Sequence, residues 1–252
     1  MATVLAGGAM AAEDSGTTPK LGHVEVVSKN GEEKWSFQVT PYIWAAGLGG
    51  EIRPFTGAPT LGFRKPFKDV LKDLNSAFFV TAAAQRGQLV LLGDFSFSDV
   101  SRSGIVPPGV PARGGLRQFS LTLAGGARVV ETDNATLDLI GGFRTWQLRG
   151  SVDVTAVGIS KSPEKTFTDA LVGARSTLRL APDWTLLIYG DTGFLRTGSR
   201  ETYQFVVTGN YAVSRDVTLS LGYRELGVDY RSGGTKLDVR MSGIVVGATF
   251  KF

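Results

Sequence analysis

Cysteine is absent from the 252 residues, which excludes disulfide frameworks, thiolate nucleophiles and Cys-ligated zinc or iron–sulfur sites. Histidine occurs once, at His23, so histidine-dependent catalysis and metal binding have almost nothing to be built from. An excess of one charge is also missing. The chain sets 27 Lys and Arg against 23 Asp and Glu, for a net +4, too small and too scattered to argue for nucleic acid. Long apolar runs are missing as well. The longest, Ala77 to Ala84 and Gly243 to Phe250, are broken by Thr or Gly and fall short of the ~18 residues that a spanning helix needs. A membrane role therefore requires a β-barrel or surface attachment.

What is present is glycine, 33 residues, about twice the usual share of roughly 7%, and 42% hydrophobic residues, which argues against wholesale disorder. Period-2 alternation begins at Trp35 and recurs almost to the last residue. Tyr203, Phe205, Val207, Gly209, Tyr211 and Val213 alternate with Gln204, Val206, Thr208, Asn210 and Ala212. Ile244, Val246, Ala248, Phe250 and Phe252 share one face of the last segment, with Gly247, Thr249 and Lys251 behind them. Segmenting at turn signals gives strands near 35–56, 77–86, 87–100, 116–130, 135–149, 168–181, 184–196, 202–214, 216–229 and 238–252. Their connections alternate between tight turns and longer loops at 57–76, 101–115, 150–167, 197–201 and 230–237. That is the pattern of an outer-membrane barrel. A hairpin at Gly47–Gly50 would raise the count to eleven and spoil the alternation. A single long first strand with a glycine-rich bend is preferred. Ten strands fit best, with eight or twelve as other counts.

The expected fold is all-β: a closed antiparallel up-and-down transmembrane β-barrel over 35–252, preceded by a truncated signal-like segment and disordered leader over 1–34. Ala9-Met10-Ala11 has the small-x-small form of a signal-peptidase site, and a featureless small-residue tail is the other reading. One segment departs from the strand rhythm. After Pro66, Phe67, Val70, Leu71 and Leu74 follow i, i+3, i+4, i+7 with Lys68, Asp69, Lys72 and Asp73 opposite, which predicts a short amphipathic helix over 66–77 in the first long loop. It rests on the barrel rim or enters the lumen as a plug.

Alternation alone does not distinguish a membrane barrel from a soluble, lipocalin-like ligand carrier. Three features favour the membrane. The strands exceed the ~9–11 residues needed to cross a bilayer at a tilt. Aromatics gather toward strand ends as interfacial girdles do: Trp35 and Trp184 near the short turns, Phe119, Phe194 and Tyr203 near the loops, and Phe252 at the terminus. Lys is confined to strand ends, while the polar faces carry Asp94, Arg128, Asp138, Arg144, Arg175, Arg179, Asp191 and Arg224. An Arg on the lipid face costs about 2–4 kcal/mol at the midplane, so these eight are expected to line the lumen. Leu92, Leu171 and Leu187 are apolar exceptions on that face.

Thr40-Pro41-Tyr42-Ile43-Trp44, Gly47-Leu48-Gly49-Gly50, Phe67 to Ala77 (FKDVLKDLNSA) and Gly93-Asp94 with alternating Phe95 and Phe97 resemble a family of small, porin-like bacterial outer-membrane β-barrel proteins. Phe252, with Phe250 two residues before it, is similar to the C-terminal signal read by the barrel-assembly machinery. The resemblance implies outer-membrane lipid and that machinery as partners and the bacterial outer membrane as location, and it carries over no activity. Barrel phospholipases and deacylases use Ser and His, and omptin proteases use an Asp–His pair. No residue after His23 is histidine, so no enzyme is expected. Gly125-Gly126, Gly141-Gly142 and Gly233-Gly234 lack phosphate-loop spacing, the acidic loops lack a calcium pattern, and no cofactor or metal is expected. Two functions remain. One is a structural or surface-contact role with a narrow or plugged lumen, the loop 150–167 being the best contact surface. The other is a pore for small solutes.

Overall fold

The computed structural model describes residues 34–53, 57, 60–106, 109–154, 156, 158–162, 164–193 and 199–252. The segment before Lys34 and the expected girdle residue Phe194 lie outside them. The elements in chain order are β1 (Ser36–Arg53), β2 (Leu61–Lys65), α1 (Phe67–Asp73), β3 (Leu74–Arg86), β4 (Leu89–Val106), β5 (Val110–Glu131), β6 (Ala135–Val154), β7 (Ile159–Lys161), β8 (Glu164–Ala181), β9 (Trp184–Gly193), β10 (Glu201–Ala212), β11 (Val217–Ser232) and β12 (Thr235–Lys251).

Ten of these strands close an antiparallel ring, β1-β3-β4-β5-β6-β8-β9-β10-β11-β12, with β2 and β7 as short additions to β1 and β6. The ring closes where β12 runs beside β1 from Gln38↔Lys251 to Arg53↔Lys236. At the seam Phe252 N donates to Phe37 O at 2.9 Å and Phe37 N to Phe252 O at 3.2 Å. Closure matters because hydrocarbon offers no partner for an unpaired backbone group. β1 continues through Gly47–Gly50 without a turn.

The strands outrun their expected bounds on the loop side. β4 and β5 stay paired to Val106↔Val110, so most of 101–115 is hairpin rather than loop. β11 and β12 meet at Ser232↔Thr235 around Gly233 and Gly234, both at positive φ, which shrinks the expected loop 230–237 to a two-residue turn. The expected loop 150–167 is likewise mostly strand, with β6 reaching Val154 and β8 starting at Glu164. Backbone pairing carries these hairpins past the point where side-chain alternation fades. Heights differ sharply around the ring: β5 has 22 residues, β9 has 10 and β10 has 12.

Side chains sort by parity. Ile43, 70% exposed, and Leu123, Phe143, Leu221, Ile244 and Val246 cover the outer wall. Trp35 and Trp184 are exposed toward the short-turn end, Trp184 with Tyr211 at 5.0 Å between ring centroids. Toward the loops Phe78, Phe95 and Phe119 form an edge-to-face chain with steps of 5.9 and 5.3 Å, and Tyr203 OH donates to Glu225 at 2.7 Å.

At Gly142 on β6 the neighbouring strand leaves no room for a side chain. A Cβ there would lie 2.6 Å from Ala124 Cα, so the two backbones approach closely where the wall curves. Gly142→Ala is expected to lower unfolding free energy by about 1–3 kcal/mol, read as a drop in the urea midpoint of the refolded barrel.

The helix is shorter than expected, seven residues, because Leu74 is captured by β4 at Leu74↔Val100. It lies in a fork of the wall. The β1–β3 ladder ends at Pro41↔Val80, and β1 regains a partner on that edge only at Leu48↔Lys65 of β2. Proline has no N–H with which to continue a ladder. α1 packs against β1 and β4 in that fork, and Lys65 pairs with Asp73. The Lys65 ammonium holds the Asp73 carboxyl below the usual carboxylate range.

Candidate functional site

The inward side chains divide the lumen into three storeys. At the short-turn end a cavity of about 530 Å³ is lined by Thr40, Gln85, Arg128, Arg175, Arg179, Thr185, Asn210, Thr249 and Lys251 among others. Arg128 Nε donates to Asp138 Oδ1 at 2.8 Å, and Arg175 faces the same Asp138 across the β6–β8 ladder. Arg179 is exposed near the mouth. This vestibule is therefore rich in guanidinium groups.

Its roof is a belt of two buried ion pairs. Arg144 of β6, 0% exposed, forks onto Asp191 of β9 with Nη1–Oδ1 at 2.9 Å and Nη2–Oδ2 at 2.7 Å. Its Nε donates to Thr122 at 2.8 Å, and Tyr189 OH donates to Asp191 at 2.6 Å. Arg224 of β11 reaches Asp94 of β4 with Nη2–Oδ1 at 2.9 Å. The strands β3, β1 and β12 lie between these two along the shorter way round, so this pair crosses the lumen. Arg224 also donates to Tyr42 OH, and its guanidinium carbon lies 4.7 Å from the Trp44 ring centroid. Gln204 ties the pairs together: its Oε1 accepts from Arg144 at 3.0 Å and from Arg224 at 3.1 Å. Shared acceptors and bidentate geometry are what a desolvated arginine requires.

Above the belt the interior turns apolar. Trp44, Trp146, Phe167, Leu226, Val228, Val239, Met241 and Val245 form one buried cluster. Trp146 and Phe167 stack at 6.4 Å, and Phe167 and Tyr230 at 4.8 Å. This corrects the expectation of an inner face that is polar apart from Leu92, Leu171 and Leu187. This cluster packs part of the loop-side half as a protein core does, beside buried Ser96, Gln118 and Ser120.

All eight expected lumen residues lie on the inner face, six of them in three ion pairs and Arg175 and Arg179 on the vestibule wall. Gln204, Tyr189, Thr122 and Tyr42 complete the belt, and sequence reading missed them as partners. Their inward parity was readable, since Gln204 alternates with the lipid-facing Tyr203 and Phe205. Trp35, Trp184, Phe119, Tyr203 and Phe252 lie on the outer wall or at its seam. Among the described residues no group of three or more Asp, Glu, His or Cys could hold a metal ion, and none is histidine.

No protein-family model matches the chain, and no curated protein sequence does either. Solved structures do. The outer-membrane protease OmpT from Escherichia coli superposes with a TM-score of 0.53 at 12% identity, covering 86% of this chain and 97% of that one. The translocator domain of the autotransporter NalP from Neisseria meningitidis gives 0.48 at 14% identity over 89% and 90% of the two chains. The attachment invasion locus protein Ail of Yersinia pestis gives 0.37 at 11% identity over 87% and 99%. The closed ring and its apolar outer belt define a membrane-spanning β-barrel, and its fold is the outer-membrane type that OmpT shows.

Proposed function

We propose that this barrel is a closed scaffold whose role is structural or surface contact rather than conduction. One observation carries the reading: the Gln204-coupled belt of Arg144–Asp191 and Arg224–Asp94 crosses the lumen with its side chains desolvated, and the aromatic cluster stands directly above it. The contact surface on this reading is the pair of projecting hairpins, β4–β5 and β6–β8. Their outer faces carry Arg117 on Asp99 at 2.7 Å and Arg149 on Glu164. Phe252, 79% exposed beside the closing seam, is the feature that the assembly machinery would read.

Planar-bilayer recording tests the closed lumen. The wild-type barrel is expected to show no stable conductance steps, and sustained open-channel steps would overturn the reading. The arginine-rich vestibule favours the pore as second reading: Arg128, Arg175, Arg179 and Lys251 would concentrate small anions. On that reading steps appear in the wild type and are anion-selective.

A further inference from the structure

Behind α1 lies a second cavity, of about 350 Å³, within the range of about 300–1,000 Å³ typical of small-molecule sites. Trp44, Phe67, Val70, Phe79, Leu116 and Met241 line it, with Ser96 and Gln118 among its polar members. It sits beside the fork where β1 and β3 part, and α1 is the element that covers that fork. The cover is lightly held. No α1 residue is fully buried, Leu71 on its far side is 54% exposed, and its fastenings include the Lys65–Asp73 pair, a longer Arg102–Asp73 pair to β4 at 4.0 Å and the contact of its first turn with Gly47. A Cβ on Gly47 would lie 3.6 Å from Phe67 N and 3.7 Å from Pro66 Cα.

A second observation points to an occupant. Trp44 is 5% exposed, and its indole N–H has no acceptor. A buried donor left unpaired costs about 1–3 kcal/mol; the Trp44 ring lines the cavity, and a turn of that ring toward a guest bearing one acceptor atom would remove the cost. Lys65, Asp73 and Arg102 stand at its helix edge but are paired with one another, so a charged guest would lose its hydration among the apolar walls without gaining a free counter-ion.

We infer that this cavity binds a small, uncharged, largely apolar molecule carrying one hydrogen-bond acceptor, and that the molecule enters from the side of the barrel past α1. Binding is independent of whether the lumen conducts, so the outcome of bilayer recording leaves this inference standing.

The test uses the full chain in lipid nanodiscs, with empty discs to subtract partitioning, and 1-naphthol as probe against naphthalene. Saturable one-site binding of 1-naphthol above empty discs is expected. Ala46→Phe, which fills the cavity, should weaken it at least about tenfold, and Val70→Trp serves as second filler on the helix if the first variant fails to show heat-modifiable migration. Trp44→Phe should weaken 1-naphthol by roughly three- to tenfold and leave naphthalene within about twofold. The cysteine-free background lets Gly47→Cys with Pro66→Cys tie α1 to β1 unambiguously. Oxidation should slow uptake, and reductant should restore it. The inference is overturned by absence of saturable binding in the wild type or by folded fillers that bind as the wild type does. Uptake at an unchanged rate in the oxidised variant overturns the route past α1.

Discussion

Arg144→Met is expected to be the most damaging single change in the barrel, costing about 3–5 kcal/mol of unfolding free energy. The reason is the group left behind. Asp191 would keep its Tyr189 hydrogen bond at 2.6 Å but lose both guanidinium contacts in a position without solvent. Adding Asp191→Leu should recover most of the loss, because replacing both partners removes the desolvated charge along with the attraction. Urea unfolding of the refolded protein in detergent reads both variants. Arg117→Met provides the contrast. Its partner Asp99 is also at 2.7 Å, yet Arg117 is 55% exposed, and the cost should stay below about 1 kcal/mol. Equal losses from the two single variants would remove the belt from its central place in the fold's stability.

The second large effect belongs to the outer wall. Leu123, 58% exposed, lies on the outward row of β5 midway between Phe119 and Ala127, with Gly93 and Phe143 as its cross-strand neighbours. Leu123→Arg is expected to cost about 2–4 kcal/mol in a bilayer. The same side chain at Ser220, which lines the vestibule, should cost far less because it reaches water. Measuring both in vesicles rather than in detergent is essential, since the penalty comes from hydrocarbon. A Leu123→Arg barrel as stable as Ser220→Arg would mean that no lipid meets that face.

Much of this was legible in the sequence because the ring repeats one signal. Tyr203 to Ala212 alternates so cleanly that strand, face and even the inward position of Gln204 follow from parity. What parity cannot supply is register between distant strands. Asp94 and Arg224 are 130 residues apart, and their meeting depends on how far each strand slides past the next around the ring. The apolar upper storey escaped for a different reason. From Tyr42 to Leu48 both faces of β1 are apolar or small, so period-2 reading has no contrast to work with there, and Trp44 gave no sign of pointing inward. The helix ended early because a strand partner, invisible in the local heptad-like spacing, offered Leu74 a ladder.

The unequal strand heights give the barrel a lopsided mouth. β5 exceeds β10 by ten residues, about 33 Å measured along the strand. On the loop side the β4–β6 flank, with strands of 18, 22 and 20 residues, stands as a tall palisade. Packed side by side in a crowded membrane, such molecules would not be interchangeable under rotation. Each would set its tall flank against one neighbour and turn a different flank to the next.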